Sequence, residues 1–116
     1  MMEEVDTGLG RIRIHKRVIA QIINSEIEHI EGVAYIYKRP WANFKELFSP
    51  GSAAGIKVTI DPQEQLSLRI PLVIKYGYNM ANVASQVQEK VGKAIGGYTD
   101  MLLKEINVDI KGIKRR

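Results

Sequence analysis

The sequence contains no cysteine, which excludes disulfide bonds, a thiolate nucleophile and any metal site built on thiolates. It has only two histidines, His15 and His29, fourteen positions apart in one predicted helix. That spacing separates the two rings by roughly 20 Å along the helix axis, so they cannot share a metal ion or a proton. A glycine-rich phosphate-binding loop is also missing. We therefore expect no catalytic residues, no metal ligands and no cofactor, and we expect that the protein is not an enzyme.

Long apolar runs are absent as well. No stretch approaches the roughly 20 apolar residues that a membrane-spanning helix needs, so we expect no transmembrane segment. The first residues, Met1–Asp6, are acidic and lack the apolar region of a secretory signal. The residues therefore indicate neither a membrane span nor a secretory signal.

The charge is unevenly placed along the chain, with an acidic and a basic end. The net charge is +4 over 116 residues, a length that suits one domain. Acidic side chains dominate residues 1–9, which we treat as a flexible leader, and residues 114–116 form a basic tail. The single folded domain is predicted over residues 10–113.

Hydrophobic periodicity predicts an α+β fold. Apolar residues at helical spacing predict helices over residues 15–30 and 80–95, the second ended by Gly96-Gly97. Alternation predicts strands, and Pro40 begins a short helix in the segment that separates the second strand from the third. The order is β-α-β-(short helix)-β-β-α-β. We expect two layers: one mixed or antiparallel sheet with both main helices on one face. The predicted strands cover residues 10–14, 33–38, 56–60, 66–75 and 106–110.

The clearest alternation runs from Leu66 to Lys75, with every even-numbered residue apolar from Leu66 to Ile74. Pro71 lies within this strand and cannot donate a ladder hydrogen bond, so it indicates an edge position or a bulge. Directly after the strand, Tyr76, Gly77 and Asn79 belong to a structural turn motif. There Gly77 supplies a positive φ angle and Asn79 caps the next helix.

Three segments together resemble the alkaline shock protein family of Gram-positive bacteria. They are Gly10-Arg-Ile-Arg-Ile, Ile74-Lys-Tyr-Gly-Tyr-Asn and Ile106-Asn-Val-Asp-Ile-Lys-Gly-Ile. The resemblance extends over residues 10 to 113. It implies a non-enzymatic cytoplasmic protein associated with cell-envelope stress, one that is held at the membrane in some relatives by a partner. The family motif carries no catalytic residues.

Aromatic residues crowd the segment after the second predicted strand. Trp41, Phe44 and Phe48 fall on one stripe of the predicted short helix, and such side chains are typical anchors for a protein partner. Two other readings remain open: the stripe covers the domain's own core, or it touches a membrane surface.

The polar face of the predicted sheet is basic. Asp61 and Asp109 are its acidic members, and Tyr35 and Tyr37 would add aromatic rings if they pointed there. Basic and aromatic side chains on a sheet are typical of RNA-binding domains. The alternation leaves the direction of the two tyrosines open, because Val33 shares their face. The basic side chains expected on this face are Arg11, Arg13, Lys57, Arg69, Lys75 and Lys111.

Two functions follow as hypotheses. The first is a non-catalytic interaction or scaffold protein associated with cell-envelope stress or homeostasis, whose partner is a second copy or another protein, including one anchored in the membrane. The alternative is an RNA-binding module that uses the basic sheet face and the tail.

Overall fold

The computed structural model describes residues 2–7, 10–38 and 55–115, with side chains from residue 16 onward. Trp41, Phe44, Phe48 and the short helix predicted after Pro40 lie outside these residues. The helices and strands are β1 (Met2–Thr7), β2 (Gly10–His15), α1 (Lys16–Glu28), β3 (Val33–Ile36), β4 (Lys57–Ile60), β5 (Gln65–Lys75), α2 (Met80–Tyr98) and β6 (Leu102–Lys114).

Strand β5 lies at the centre of a four-stranded mixed sheet. On one edge it pairs antiparallel with β4 along its first half and with β3 along its second half. On its other edge it pairs with β6, in parallel and over its whole length. The predicted α+β fold is therefore confirmed, although the described residues form a second, two-stranded sheet in addition to this one.

Both helices cover one face of this sheet and form the core with it. The even-numbered residues of β5, from Leu66 to Ile74, are almost completely buried. They meet Ile19, Ile23 and Ile27 of α1 and the valines of α2 in one hydrophobic cluster. Isoleucine and valine form helices weakly, so this burial stabilises α1 and α2 more than their intrinsic propensity does.

Pro71 occupies the central strand, not an edge. The amide of Tyr37 donates to its carbonyl at 2.9 Å, which places this side of Pro71 toward β3. The residue falls between the last β4 pair, at Arg69, and the first β3 pair, at Leu72, so no ladder donor is needed there. An irregularity in the β6 pairing does follow, between Leu72 and Val73.

The predicted first strand belongs to a separate two-stranded sheet. Strand β2 pairs with β1, which the sequence analysis included in the leader. The register sets Glu4 opposite Arg13 and Asp6 opposite Arg11. The acidic and basic segments thus pair in a hairpin.

Helix α2 and strand β6 both extend beyond their predicted bounds. Helix α2 continues through Gly96 and Gly97 to Tyr98, because Ile95 anchors its last turn in the core and its carbonyl accepts the amide of Thr99 at 2.9 Å. Strand β6 is longer than the predicted residues 106–110, because its pairing with β5 follows the whole length of that strand.

Two glycines should respond oppositely to replacement by alanine. Gly96 lies in helix α2 with open space around it, so Gly96→Ala should raise the free energy of unfolding by about 1 kcal/mol through helix propensity. Gly55 has a φ of 93°, and an added Cβ would overlap the carbonyl oxygen of Tyr37. Gly55→Ala should therefore lower the free energy of unfolding by about 2 kcal/mol or more. Urea denaturation of both variants measures this, and two changes of the same sign would contradict the backbone geometry.

Candidate functional site

The face of the four-stranded sheet opposite the helices is here called the open face. It carries the odd-numbered residues of β5 and their neighbours in the pairing register. Two of these residues, Pro71 and Val73, are buried, so the face is exposed only in part. Lys57 pairs with Arg69 on this face, and Asp109 pairs with Pro71. The open face therefore carries both charges, with basic side chains toward the β4 side and acidic ones on β6.

A bulge in β3 decides where the tyrosines point. The pairing shifts between Val33 and Tyr35, so that Val33 pairs with Ile74 on the core face while Tyr35 pairs with Val73 on the open face. The side chain of Tyr35 is 51% exposed. The backbone amide of the next tyrosine, Tyr37, donates a hydrogen bond to the carbonyl of Pro71, which is also on the open face. The extra residue thus resolves the question that simple alternation left open. Both tyrosines belong to the open face.

The structure does not bring the six predicted basic residues together. Lys57, Arg69 and Lys75 lie on the open face, where the guanidinium of Arg69 is 3.7 Å from the carboxylate of Asp109. This exposed ion pair is weak. Lys111 is the extra residue at the irregularity in β6.

Arg11 and Arg13 are the remaining two. They lie on β2, in the separate two-stranded sheet. The expectation that one sheet carries all six is therefore wrong, because the first strand finds its partner in β1 and not in the main sheet.

A groove of about 710 Å³ opens at the end of the sheet where β5 and β6 finish. Its walls carry two cation–π contacts, in which the side chain of Lys114 lies 5.9 Å from the ring centre of Tyr35 and that of Arg115 lies 4.9 Å from the ring centre of Tyr76. The residues that line the groove are Ala34, Lys75, Tyr76, Tyr78, Lys114 and Arg115.

The turn motif ties this end of the sheet together. Gly77 has a φ of 94°, and Asn79 is the N-cap of α2, where its side chain accepts the amide of Asn82 at 3.0 Å. The amide of Tyr76 donates to the carbonyl of Lys114 at 2.9 Å, so the turn also holds the end of β6. The motif therefore positions one wall of the groove.

Tyr78 joins the turn motif to the loop between α1 and β3. Its ring packs against Gly32, where an added Cβ would come within 2.9 Å of it. Its hydroxyl donates to the carboxylate of Glu31 at 3.1 Å. This hydrogen bond raises the pKa of Tyr78 above its ordinary value of 10.0, with smaller contributions from desolvation and from the charge of Glu31.

The outer edge of β6 is a feature that the sequence analysis missed. Strand β6 has 13 residues, and in the described part of the chain no strand pairs with its side away from β5. One side chain of α2 contacts the backbone of β6: the amide group of Gln88 donates to the carbonyl of Ile106 at 3.0 Å. The sequence hides the length of this strand, because Leu103 and Ile113 are out of phase with the alternation of residues 106–110. The register with β5 shifts on both sides of that stretch.

Within residues 16–38 and 55–115, no group of three or more histidine, aspartate and glutamate side chains is arranged to hold a metal ion. Neither of the two described helices combines the length and apolar character required to span a bilayer.

Glu31→Gln should lower the pKa of Tyr78 toward 10.0, because a neutral amide no longer favours the protonated phenol. Since folding raises this pKa, the contribution of the hydrogen bond to stability is complete below pH 10.0 and is lost as the pH rises through the raised pKa. An NMR titration of isotope-labelled tyrosines measures the shift. The matched variant Glu89→Gln, on the exposed surface of α2, should leave the pKa of Tyr78 unchanged; an equal shift in both variants would contradict the assignment.

Comparison with known proteins agrees with this architecture. A protein of Bacillus subtilis (strain 168), YqhY, described as uncharacterized, is 27% identical over 114 residues, which cover 97% of this chain and 84% of YqhY. Two structures of the MamM CTD share the fold at 12% identity. The manganese form has a TM-score of 0.50 and covers 84% of this chain and 99% of its own; the copper form has a TM-score of 0.51 and covers 84% and 98%.

The family comparison covers almost the whole described chain. The sequence model of the alkaline shock protein family matches residues 4–115. The family is described as having a cell envelope-related function. This range includes all three segments on which the resemblance rested, and it also takes in most of β1. The chain belongs to the alkaline shock protein family.

Proposed function

We propose that this chain is a non-catalytic scaffold protein of the cytoplasm that serves the cell envelope by protein–protein contact. Its first partner is a second copy of the same chain, joined edge to edge along β6. The observation that carries the proposal is the long outer edge of β6. The family's cell envelope-related description supports the cellular context.

An unpaired strand edge presents a row of backbone donors and acceptors that another strand can satisfy. Strand β6 has 13 residues, whereas β3 and β4, on the opposite side of β5, have four each. The longer edge offers more backbone hydrogen bonds to a partner. Its exposed apolar residues, Leu102 and Ile113, lie near its two ends and would be covered by such a partner.

The sequence of β6 is complementary to itself. If two copies pair antiparallel about a two-fold axis at Val108, Ile106 of one copy faces Ile110 of the other, and Glu105 faces Lys111. Symmetry produces each of these pairs twice. Moving the axis to Asn107 would set Glu105 opposite Asp109, and moving it to Asp109 would set two aspartates opposite each other. Charge therefore favours the axis at Val108 over its two neighbours.

Pairing in this register joins two four-stranded sheets into one continuous sheet. In the regular stretch of β6, Ile106, Val108 and Ile110 share the core face with β5, so the helices of both copies would lie on the same side. The two open faces would then lie side by side. Such a surface doubles the area that a single copy presents to a further protein partner, including one anchored in the membrane.

Reversing one charge should weaken the association. Glu105→Lys places two ammonium groups opposite each other, and Lys111→Glu places two carboxylates opposite each other. Each should raise the dissociation constant about tenfold, because a cross-strand ion pair contributes about 0.2–1 kcal/mol and occurs twice. The double variant with both reversals should restore the affinity of the original chain. Sedimentation equilibrium measures all three.

The control for this experiment is Lys104→Glu. It makes the same charge change on the same strand, but position 104 faces Gly112 in the proposed register. It should leave the dissociation constant within about twofold. Absence of self-association in the original chain, or a double variant no better than the single ones, would overturn the proposal.

RNA binding is a second candidate, favoured by the position of the tyrosines. The bulge in β3 places Tyr35 on the open face, which also carries Lys57, Arg69 and Lys75. Exposed aromatic rings among basic side chains provide stacking platforms for single-stranded nucleic acid.

Tyr35→Ala should then weaken binding of a single-stranded oligouridylate about tenfold or more, because a stacked base contributes about 1–3 kcal/mol. Binding should also fall as salt rises, since phosphate contacts release counterions. Fluorescence anisotropy measures both. Tyr98→Ala, which removes a comparably exposed ring from α2, is the matched control and should have no effect. No salt-sensitive binding at low ionic strength would exclude this candidate.

A further inference from the structure

We infer that the groove at the end of the sheet binds a phosphate group. The inference goes beyond the proposed scaffold function, since it concerns a different part of the molecule and a ligand that is not a protein. The phosphate could be carried by a soluble anion or by the headgroup of an anionic phospholipid, and both sources present the same chemistry to the groove.

Three cations converge on this groove. Lys75 ends β5, Lys114 ends the neighbouring strand β6, and Arg115 follows directly. Lys75 and Lys114 are paired in the β-sheet register, which keeps both close to the same end of the sheet. The parallel pairing of β5 and β6 is therefore what gathers positive charge here, from segments almost forty residues apart in the sequence.

These cations are not neutralised within the described chain. Its ion pairs join Arg69 to Asp109 and Lys93 to Glu89, and neither includes a groove residue. Lys114 and Arg115 instead lie against the rings of Tyr35 and Tyr76. A cation over an aromatic face keeps its full charge and its hydrogen-bond donors, so it can still bind an anion.

Glu31 is a carboxylate that the structure ties to the groove, and its single negative charge leaves the three cations in excess. Glu31 accepts the hydrogen bond from Tyr78, whose ring forms part of the groove wall. The groove therefore presents ammonium and guanidinium groups and two exposed phenol rings, Tyr76 being 64% exposed and Tyr78 40%. Arginine binds phosphate oxygens bidentately and lysine adds a point charge, which makes phosphate the anion that fits this set best.

The shape of the groove depends on the bulge in β3. Ala34 is the extra residue of that bulge, and it lines the groove together with Lys114 and Tyr76. A larger side chain at this position would take up space inside the groove without changing any charge. A loss of binding on such a substitution would therefore distinguish a groove of defined shape from a surface that is only basic.

The experiment uses the full chain with two probes. One is inorganic pyrophosphate, followed by NMR shifts of the Lys75, Tyr76 and Lys114 amides. The other is sedimentation with phosphatidylglycerol vesicles, with phosphatidylcholine vesicles as the uncharged reference. Lys114→Gln and Arg115→Gln should each weaken binding about fivefold, since one basic residue near an anionic surface contributes about 1 kcal/mol. Lys104→Gln, the same change at the other end of β6, should have almost no effect.

A groove-filling variant completes the test. Ala34→Leu should weaken binding severalfold while leaving the net charge unchanged, and thermal unfolding followed by circular dichroism checks that the variant is folded. If it does not fold, the exposed Arg115→Gln and Lys104→Gln pair still decides the question.

The possible results distinguish a lipid phosphate, a soluble phosphate and the absence of a phosphate site. Binding to phosphatidylglycerol vesicles alone, with the expected dependence on Arg115, identifies a lipid phosphate. Binding of pyrophosphate with the same dependence identifies a soluble one. Binding of neither probe, an equal loss with Lys104→Gln, or full binding by folded Ala34→Leu would overturn the site. None of these variants alters Glu105 or Lys111, so failure here leaves the β6 contact standing.

Discussion

The parallel and antiparallel pairing of β5 along both of its edges is the constraint on which the rest of the structure depends. Its even-numbered residues form one side of the core, and the apolar stripes of both helices are buried by packing against them. Its odd-numbered residues define the open face. Because β6 follows β5 over its full length, the same pairing creates the long outer edge and brings Lys75 beside Lys114. Both proposed surfaces are thus consequences of one strand.

The sequence predicts the local parts of this structure well, since their signals lie within a few residues. Alternation reveals β5, helical spacing reveals α1 and α2, and Asn79 marks the start of α2 as its N-cap. Asp61 also forms the turn between β4 and β5, where its carboxylate accepts the amides of Gln63 and Gln65 at 2.9 and 2.8 Å. In each case the sequence signal, a periodicity or a capping side chain, lies within the element or directly beside it.

The features that shape the candidate surfaces are less visible, because they arise from pairing between distant segments. The bulge that turns Tyr35 to the open face exists only against β5, and strict alternation from Val33 cannot show it. Likewise, Arg13 looked like a member of the basic sheet face, yet its strand pairs with the acidic β1. The groove required three separate strand ends to meet, which no single segment indicates. How Trp41 and its neighbours act stays a prediction.

The central claim is that two copies meet along β6 with the two-fold axis at Val108. The absence of cysteine from the chain allows a direct test, because Val108→Cys introduces a single thiol. Two facing residues of an antiparallel pair bring their Cβ atoms to about 4.5–5.5 Å, close enough for a disulfide with little adjustment. Mild oxidation should therefore convert Val108→Cys to a covalent dimer, and Lys104→Cys, whose facing position is Gly112, should remain monomeric on a denaturing gel. Equal cross-linking of both variants, or of neither, would contradict the account.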